Sequence, residues 1–482
     1  MKRIKKSYLL LAGLMISSLL AGCSGGSVKE PTFDKSEKGI VFAAYAAPTA
    51  NGRVNDVEIL DDAYKKLSEA GFTKAIALYE GNSTAQGADV FETIRLRSEE
   101  AEKTAMMVLD IAEKYGIKYW VRDWSFYGLG RNFAEDLTTK EDYEKVIAEM
   151  FSEENPYIDH PAYGGNFGFD EPENEMEMRG MAWQAELYNK YIKENSDTGG
   201  EIFFNLLPAY GSPTYSEDVD YYFEHVAPHL GYVSYDFYPY KNNGTENYIR
   251  ETYYYNYELM AKKCKENNCE LRAFVQAKGD FTGMRNMDSI ADLRFQIYSG
   301  LAFGVREFTY YTYSSSVNET NYTAEDGYSL YDYKTNTYPW VYDAAKQVHS
   351  EVKAMEDAYD AYEWEGIMYK NASEMIDNQV FANLSSPMES HDRMDILSCT
   401  QDVAAGVLKA KDADRKEQDA FMFVNVTEPS LGLESEVTVK FEKAKALLMY
   451  RLGEKEIVQL DGSGEYTFLL QPGEGRFVIP LN

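Results

Sequence analysis

From Gly39 onward, short apolar runs alternate with stretches whose apolar residues recur every three or four positions. That rhythm predicts strands each followed by an amphipathic helix. The first run is Ile40 to Ala46, and the helix after it presents Ile59, Leu60, Ala63, Tyr64 and Leu67 before stopping at Gly71. Further strands are predicted at Lys74–Tyr79, Ile117–Val121, Asn166–Phe169, Glu201–Leu207, Gly231–Tyr235, Leu271–Val275 and Glu307–Tyr311. Helices are predicted over Ser98–Tyr115, Lys140–Phe151, Met176–Glu194, Ile290–Phe303 and Val341–Tyr359. Eight strand–helix pairs in about 320 residues is the scale of a (β/α)8 TIM barrel with insertions. A doubly wound sheet would more often carry a glycine-rich phosphate turn after its first strand, where this chain has Ala46-Ala47-Pro48. Past Trp364 the pattern becomes period two, with runs such as Val403–Lys409, Ala420–Val426 and Gly475–Ile479 between tight turns. This predicts a small all-β sandwich. The expected division is a barrel over residues 39–360 and a sandwich over residues 361–482.

In a parallel barrel the carboxyl ends of the strands converge on one mouth, so residues far apart in sequence share one site. The fourth strand runs directly into Asp170-Glu171-Pro172. Collected in the same way, the expected mouth holds Tyr45, Glu80, Arg122, Asp123, Trp124, Asn205, Tyr210, Asp236, Tyr238, Gln276, Lys278, Tyr310 and Tyr313. Carboxylates, amides and aromatic rings suit hydrogen bonding and stacking against a neutral polyol, and acetal hydrolysis needs two carboxyl groups across a sugar. Plainer roles compete. Asp170 could be a helix cap ahead of Pro172, Asp236 a turn residue before Pro239, Arg122 with Asp123 a structural ion pair, and the tyrosines rim packing.

Composition narrows the partners. The formal charge of −31 argues against nucleic acid, whose phosphates reward Lys and Arg. The 40 tyrosines fit sugar faces, though such rings also fill cores. His160, His225, His229, His349 and His391 have no ligand spacing, and Cys264, Cys269 and Cys399 match no zinc or redox pattern, so no metal or other cofactor is expected. Lys2, Arg3, Lys5 and Lys6 precede an apolar run from Tyr8 to Leu20 that ends in Leu20-Ala21-Gly22-Cys23. This resembles a bacterial lipoprotein signal (residues 1–22), which implies lipid on Cys23, a flexible tether to residue 38 and an extracytoplasmic, membrane-anchored protein.

Gly168-Phe169-Asp170-Glu171-Pro172 resembles the Asp-Glu-Pro ending of strand four in many bacterial barrel glycoside hydrolases. Phe204-Asn205-Leu206-Leu207-Pro208, Ser234-Tyr235-Asp236-Phe237-Tyr238-Pro239 and the closing Leu470-Gln471-Pro472-Gly473-Glu474-Gly475 are similar to parts of the same enzymes. The resemblance implies a glycoside hydrolase acting on a poly- or oligosaccharide, with Glu171 as proton donor and Asp236 as the second carboxylate. A second version pairs a nucleophilic Asp170 with an acidic Asp236. The family's strand-seven nucleophile is replaced here by Gln276, which leaves a non-catalytic glycan-binding lipoprotein as the alternative.

Overall fold

A computed structural model describes residues 28–49, 56–77, 90–130, 135–152, 155–279, 283–315, 329–333, 335–373, 378–412, 415 and 418–482. Cys23 and Glu80 lie outside these, as does the Trp124 side chain. No helix among the described residues is long and apolar enough to cross a membrane.

The barrel elements follow in the order β1 (Val41–Ala47), α1 (Val57–Glu69), β2 (Lys74–Ala77), α2 (Val90–Lys114), β3 (Lys118–Val121), α3 (Trp124–Gly130), α4 (Lys140–Met150), β4 (Tyr163–Asp170), α5 (Glu175–Asn195) and β5 (Glu201–Asn205). After these come α6 (Tyr215–His225), α7 (Ala227–Leu230), β6 (Tyr232–Tyr235), a hairpin of β7 (Tyr240–Asn242) and β8 (Asn247–Ile249), α8 (Tyr253–Asn267), β9 (Glu270–Gln276), α9 (Ile290–Ala302) and β10 (Glu307–Tyr311). The helices α10 (Trp340–Lys353) and α11 (Glu356–Asp360) end this part of the chain. Eight strands pair in parallel in the order β5-β4-β3-β2-β1-β10-β9-β6. A parallel bridge between Leu206 and Tyr235 joins the two edges, so the sheet closes into a (β/α)8 barrel.

The interior of the barrel is layered because alternate strand residues point inward. Its middle layer is Ile76, Trp120, Phe167, Phe203 and Phe274, all buried. Two residues earlier on β2, β5 and β9 stand Lys74, Glu201 and Arg272, which meet Glu307 at the start of β10. Lys74 Nζ lies 2.9 Å from Glu307 and 3.4 Å from Glu201, and Arg272 holds Glu201 at 2.6 Å and Glu270 at 2.9 Å. The Lys74 ammonium also sits 4.0 Å from the Trp120 ring centroid. The barrel floor is thus an ionic plug rather than an apolar one.

The second part of the chain begins with β11 (Tyr362–Lys370) and continues through α12 (Gln379–Ala382), β12 (Met394–Cys399), β13 (Val403–Ala410), β14 (Ala420–Asn425), β15 (Ser435–Phe441), β16 (Ala446–Arg451), β17 (Glu454–Gln459), β18 (Glu465–Leu470) and β19 (Gly475–Leu481). A six-stranded sheet, β11-β13-β14-β19-β16-β17, faces a three-stranded sheet, β12-β15-β18, across a core of Phe421, Phe423, Val437, Val439, Leu447 and Phe468. The outer face of the larger sheet seats on α9. That helix is buried nearly all round, as expected when both of its sides are covered. The approach is close: a Cβ added to Gly406 would lie 2.1 Å from the Ala302 carbonyl oxygen, so only glycine fits. Two salt links extend the seam toward the barrel mouth, because Arg285 pairs with both Asp292 at the start of α9 and Glu428 of the sandwich.

Candidate active site

Three acids meet at the carboxyl end of the barrel, and a local irregularity brings one of them there. On β4 the pairing with β5 shifts between Phe167 and Phe169, so that Phe167 faces Phe203 but Asp170 faces Asn205. A bulge reverses the alternation of a strand beyond it. Phe169 therefore turns out to the helices, while Asp170, three residues past the inward Phe167, turns in. Gly168 permits this, since a Cβ there would lie 2.4 Å from the Phe204 ring. Glu171 follows in the left-handed region, φ 54°, a conformation that costs a non-glycine residue free energy and concentrates at functional sites. Its N–H donates to the Asn205 carbonyl at 2.9 Å. The helix beyond is capped by Asn174, whose side chain accepts from Glu177 N–H, so neither Asp170 nor Glu171 is a capping residue.

Asn205 links the acids. Its Nδ2 donates to Asp170 Oδ1 at 3.3 Å and to Asp236 Oδ1 at 3.0 Å, while its Oδ1 accepts from Ser234 Oγ at 3.0 Å. Tyr45 donates its hydroxyl to the other Asp170 oxygen at 2.9 Å. Asp170 thus accepts one hydrogen bond on each of its oxygens. Asp236 is different: it is 2% exposed, and burial, then the charges of Glu171 and Asp170, push its carboxyl well above the usual range. The site pairs a buried carboxyl group, pushed above its usual range, with a second one that accepts two hydrogen bonds.

Tyr45, Asn205 and Tyr238 lie in this cluster, and the Tyr238 hydroxyl feels both Asp236 and Glu171. Tyr210 stands at the rim, 42% exposed. Four expected contacts are corrected. Tyr310 points outward, where His349 Nε2 lies 2.8 Å from its hydroxyl, and Tyr313 packs edge-on against Phe72 in the same outer layer. Asp123 is fully buried beneath the mouth and accepts from Tyr157 at 2.7 Å, which makes it a structural acceptor. The Arg122 guanidinium stacks on the Tyr127 and Phe167 rings at 4.2 and 4.3 Å. Gln276 is fully buried, accepting from Tyr240 N–H at 3.2 Å and donating to the Arg285 carbonyl at 2.9 Å. Its amide clamps two loops together and does not face a ligand.

Strand alternation would have found the tyrosine that sequence reasoning missed. Tyr311, adjacent to Tyr310, faces inward, its ring 5.1 Å from Tyr238 and 6.0 Å from Tyr45. The three rings form an aromatic wall beside the acids. Among the described residues, no group of His, Cys, Asp and Glu could hold a metal ion.

No protein-family model matches the sequence, and no characterised protein matches it by sequence. Solved structures match by shape. One glycoside hydrolase covers 93% of this chain and 96% of its own at a TM-score of 0.53 and 11% identity. A glycoside hydrolase family 5 structure from Bacteroides vulgatus covers 92% and 89%, again at a TM-score of 0.53, with 12% identity. The chain has the barrel-and-sandwich fold of these glycoside hydrolase structures.

Proposed function

We propose that the protein is a glycoside hydrolase, tethered outside the cytoplasm by lipid on Cys23, with Asp236 as proton donor and Asp170 as its anionic partner. The observation that carries this reading is the sharing of one Asn205 amide by two carboxyl groups, a buried Asp236 pushed above the usual range and an Asp170 that also accepts from Tyr45. The sequence points to Glu171 as donor; Asp236 is proposed in its place because burial and the neighbouring Glu171 charge both raise its carboxyl.

Two oxygens bonded to one nitrogen lie closer than the roughly 6.5–9.5 Å that an inverting water requires, which supports a retaining course. Asp170 attacks the anomeric carbon as the glycosidic C–O bond breaks, and Asp236 delivers its proton to the departing oxygen. Asp236, now anionic, takes a proton from water as that water displaces Asp170. The wall of Tyr45, Tyr238 and Tyr311 gives the sugar a face to lie against.

Reducing-end release from a panel of polysaccharides tests the reading, and turnover of at least one is expected. Binding without turnover of every glycan bound would instead favour a glycan-capturing lipoprotein, the alternative to which the clamped Gln276 amide lends support. Within the enzymatic reading, Tyr45→Phe removes one hydrogen bond to a charged acceptor. It should lower kcat/KM about 10- to 100-fold while leaving the melting temperature within a few degrees of wild type.

A further inference from the structure

The hairpin of β7 and β8 leaves the barrel just after Asp236 and returns beside it, because Arg250 N–H donates to the Pro239 carbonyl at 2.9 Å. The Arg250 guanidinium then lies over the Tyr210 ring, its Cζ 3.6 Å from the centroid. Tyr210 in turn sets its ring edge-on against Phe237, 5.1 Å away. The Tyr210 hydroxyl belongs to the active-site environment: burial raises its ionisation first, and Asp236 adds to that more than Glu171 does. The stacked pair therefore forms the wall of the mouth on the side of loops five and six.

Arg250 is notable for what it does not bind. The chain has 79 acidic residues against 48 basic ones, and Arg272, Arg285, Arg294 and Arg306 each hold a carboxylate. Among the described residues, no carboxylate pairs with Arg250, and its Nε has no hydrogen-bond partner. A second cation stands near it. Burial lowers the Lys241 ammonium, and the Arg250 charge lowers it further. A guanidinium stacked on a ring, with its Nε unpartnered, is suited to receive a planar or tetrahedral oxyanion. In a protein of charge −31, with three acids in the mouth, an anionic ligand would be repelled without such a device.

We propose that Arg250, held on Tyr210, is a specificity residue that binds an oxyanion substituent of the sugar beside the scissile bond, so that the substrate is an acidic glycan. The sequence alone suits a neutral polyol; the unpaired guanidinium changes that. The inference rests on the glycoside hydrolase reading, and binding measurements separate the two. Calorimetry on the full-length Asp236→Asn variant would compare uronate-bearing oligosaccharides, sulfated ones and their neutral counterparts made by carboxyl reduction or desulfation. One acidic class should bind at least about tenfold more tightly than its neutral counterpart, and the class that does identifies carboxylate or sulfate as the group recognised.

Adding Arg250→Met should cut that affinity about 10- to 100-fold, leave neutral binding unchanged and flatten the salt dependence. Arg250→Lys, which keeps the charge but not the fork, should fall between and serves as a folding control. Equal affinity for acidic and neutral glycans, or no effect of Arg250→Met, overturns the proposal. If Arg250-dependent binding is found but wild-type protein hydrolyses none of the glycans, the catalytic reading fails and this one stands.

Discussion

Asp236→Asn should reduce hydrolysis of natural glycosides by about 10²- to 10⁴-fold, the usual contribution of a positioned general acid. The amide keeps the shape and an acceptor oxygen for Asn205 but has no proton to deliver. The loss should depend on the leaving group. A dinitrophenyl glycoside departs without protonation, so its first step should survive the substitution, whereas Asp170→Asn should abolish that step with every leaving group. Stability should move the opposite way to activity. The Asp236 carboxyl is pushed up in the folded protein, so folding takes up a proton, and stability is greatest below the ordinary carboxyl range and falls as pH rises above it. Asp236→Asn removes that dependence. The variant should melt above wild type at neutral pH and converge with it near pH 3, as thermal denaturation across pH would reveal. A variant that melts lower at neutral pH, or that turns over unactivated substrates at the wild-type rate, would contradict the assignment.

The second large effect is expected at the far end of the barrel. Arg272→Met should destabilise the fold by about 3–5 kcal/mol, the cost of removing one partner from a buried ionic network. Methionine can still cover the Tyr232 ring, over which the guanidinium now lies at 3.7 Å, but Glu201 and Glu307 would lose a counter-charge in a buried floor. Burial alone would raise the Glu201 carboxyl; Arg272 and then Lys74 outweigh it and hold it at about 2. Because this pKa is depressed, the stabilisation is present above the ordinary glutamate range and is lost as pH falls from about 4 toward 2. Chemical denaturation should show Arg272→Met losing most at neutral pH and the gap to wild type narrowing in acid. A loss under 1 kcal/mol would mean that water entering the floor screens the network.

The strand–helix rhythm carried the barrel because burial against helices on one face and a packed interior on the other leaves a periodic trace at every strand. The convergence of Asp170 and Asp236 was legible for the same reason: each stands where an apolar run ends, whereas Asn205 interrupts one. Orientation was harder to read. Tyr310 and Tyr311 are adjacent at the strand end, and only alternation counted along the strand separates them: Tyr311 turns inward and Tyr310 outward. Asp170 reaches the mouth through a bulge that no local pattern announces. Gln276 and Asp123 sit at strand ends as expected, yet Tyr240 and Tyr157, distant in sequence, claim their polar atoms. The β7–β8 hairpin is too short and polar to stand out as strands, and Arg250 could not be seen as a mouth residue without it. The floor network joins residues up to 233 positions apart, a partnership that appears only once the barrel has closed.

The seam between α9 and the six-stranded sheet bears on how this molecule is divided. Gln296, on the helix that the sandwich covers, exchanges two hydrogen bonds with the Gln276 backbone, and Glu428 of the sandwich grips Arg285, whose carbonyl in turn holds the Gln276 amide. Ser430 accepts from Asn247 on the hairpin that carries Arg250. The terminal module is therefore a buttress for the sixth and seventh loops of the mouth. A chain cut after residue 360 would expose the apolar flank of α9 and leave those loops without their outer support. The smallest unit able to keep the pocket in shape is both modules together.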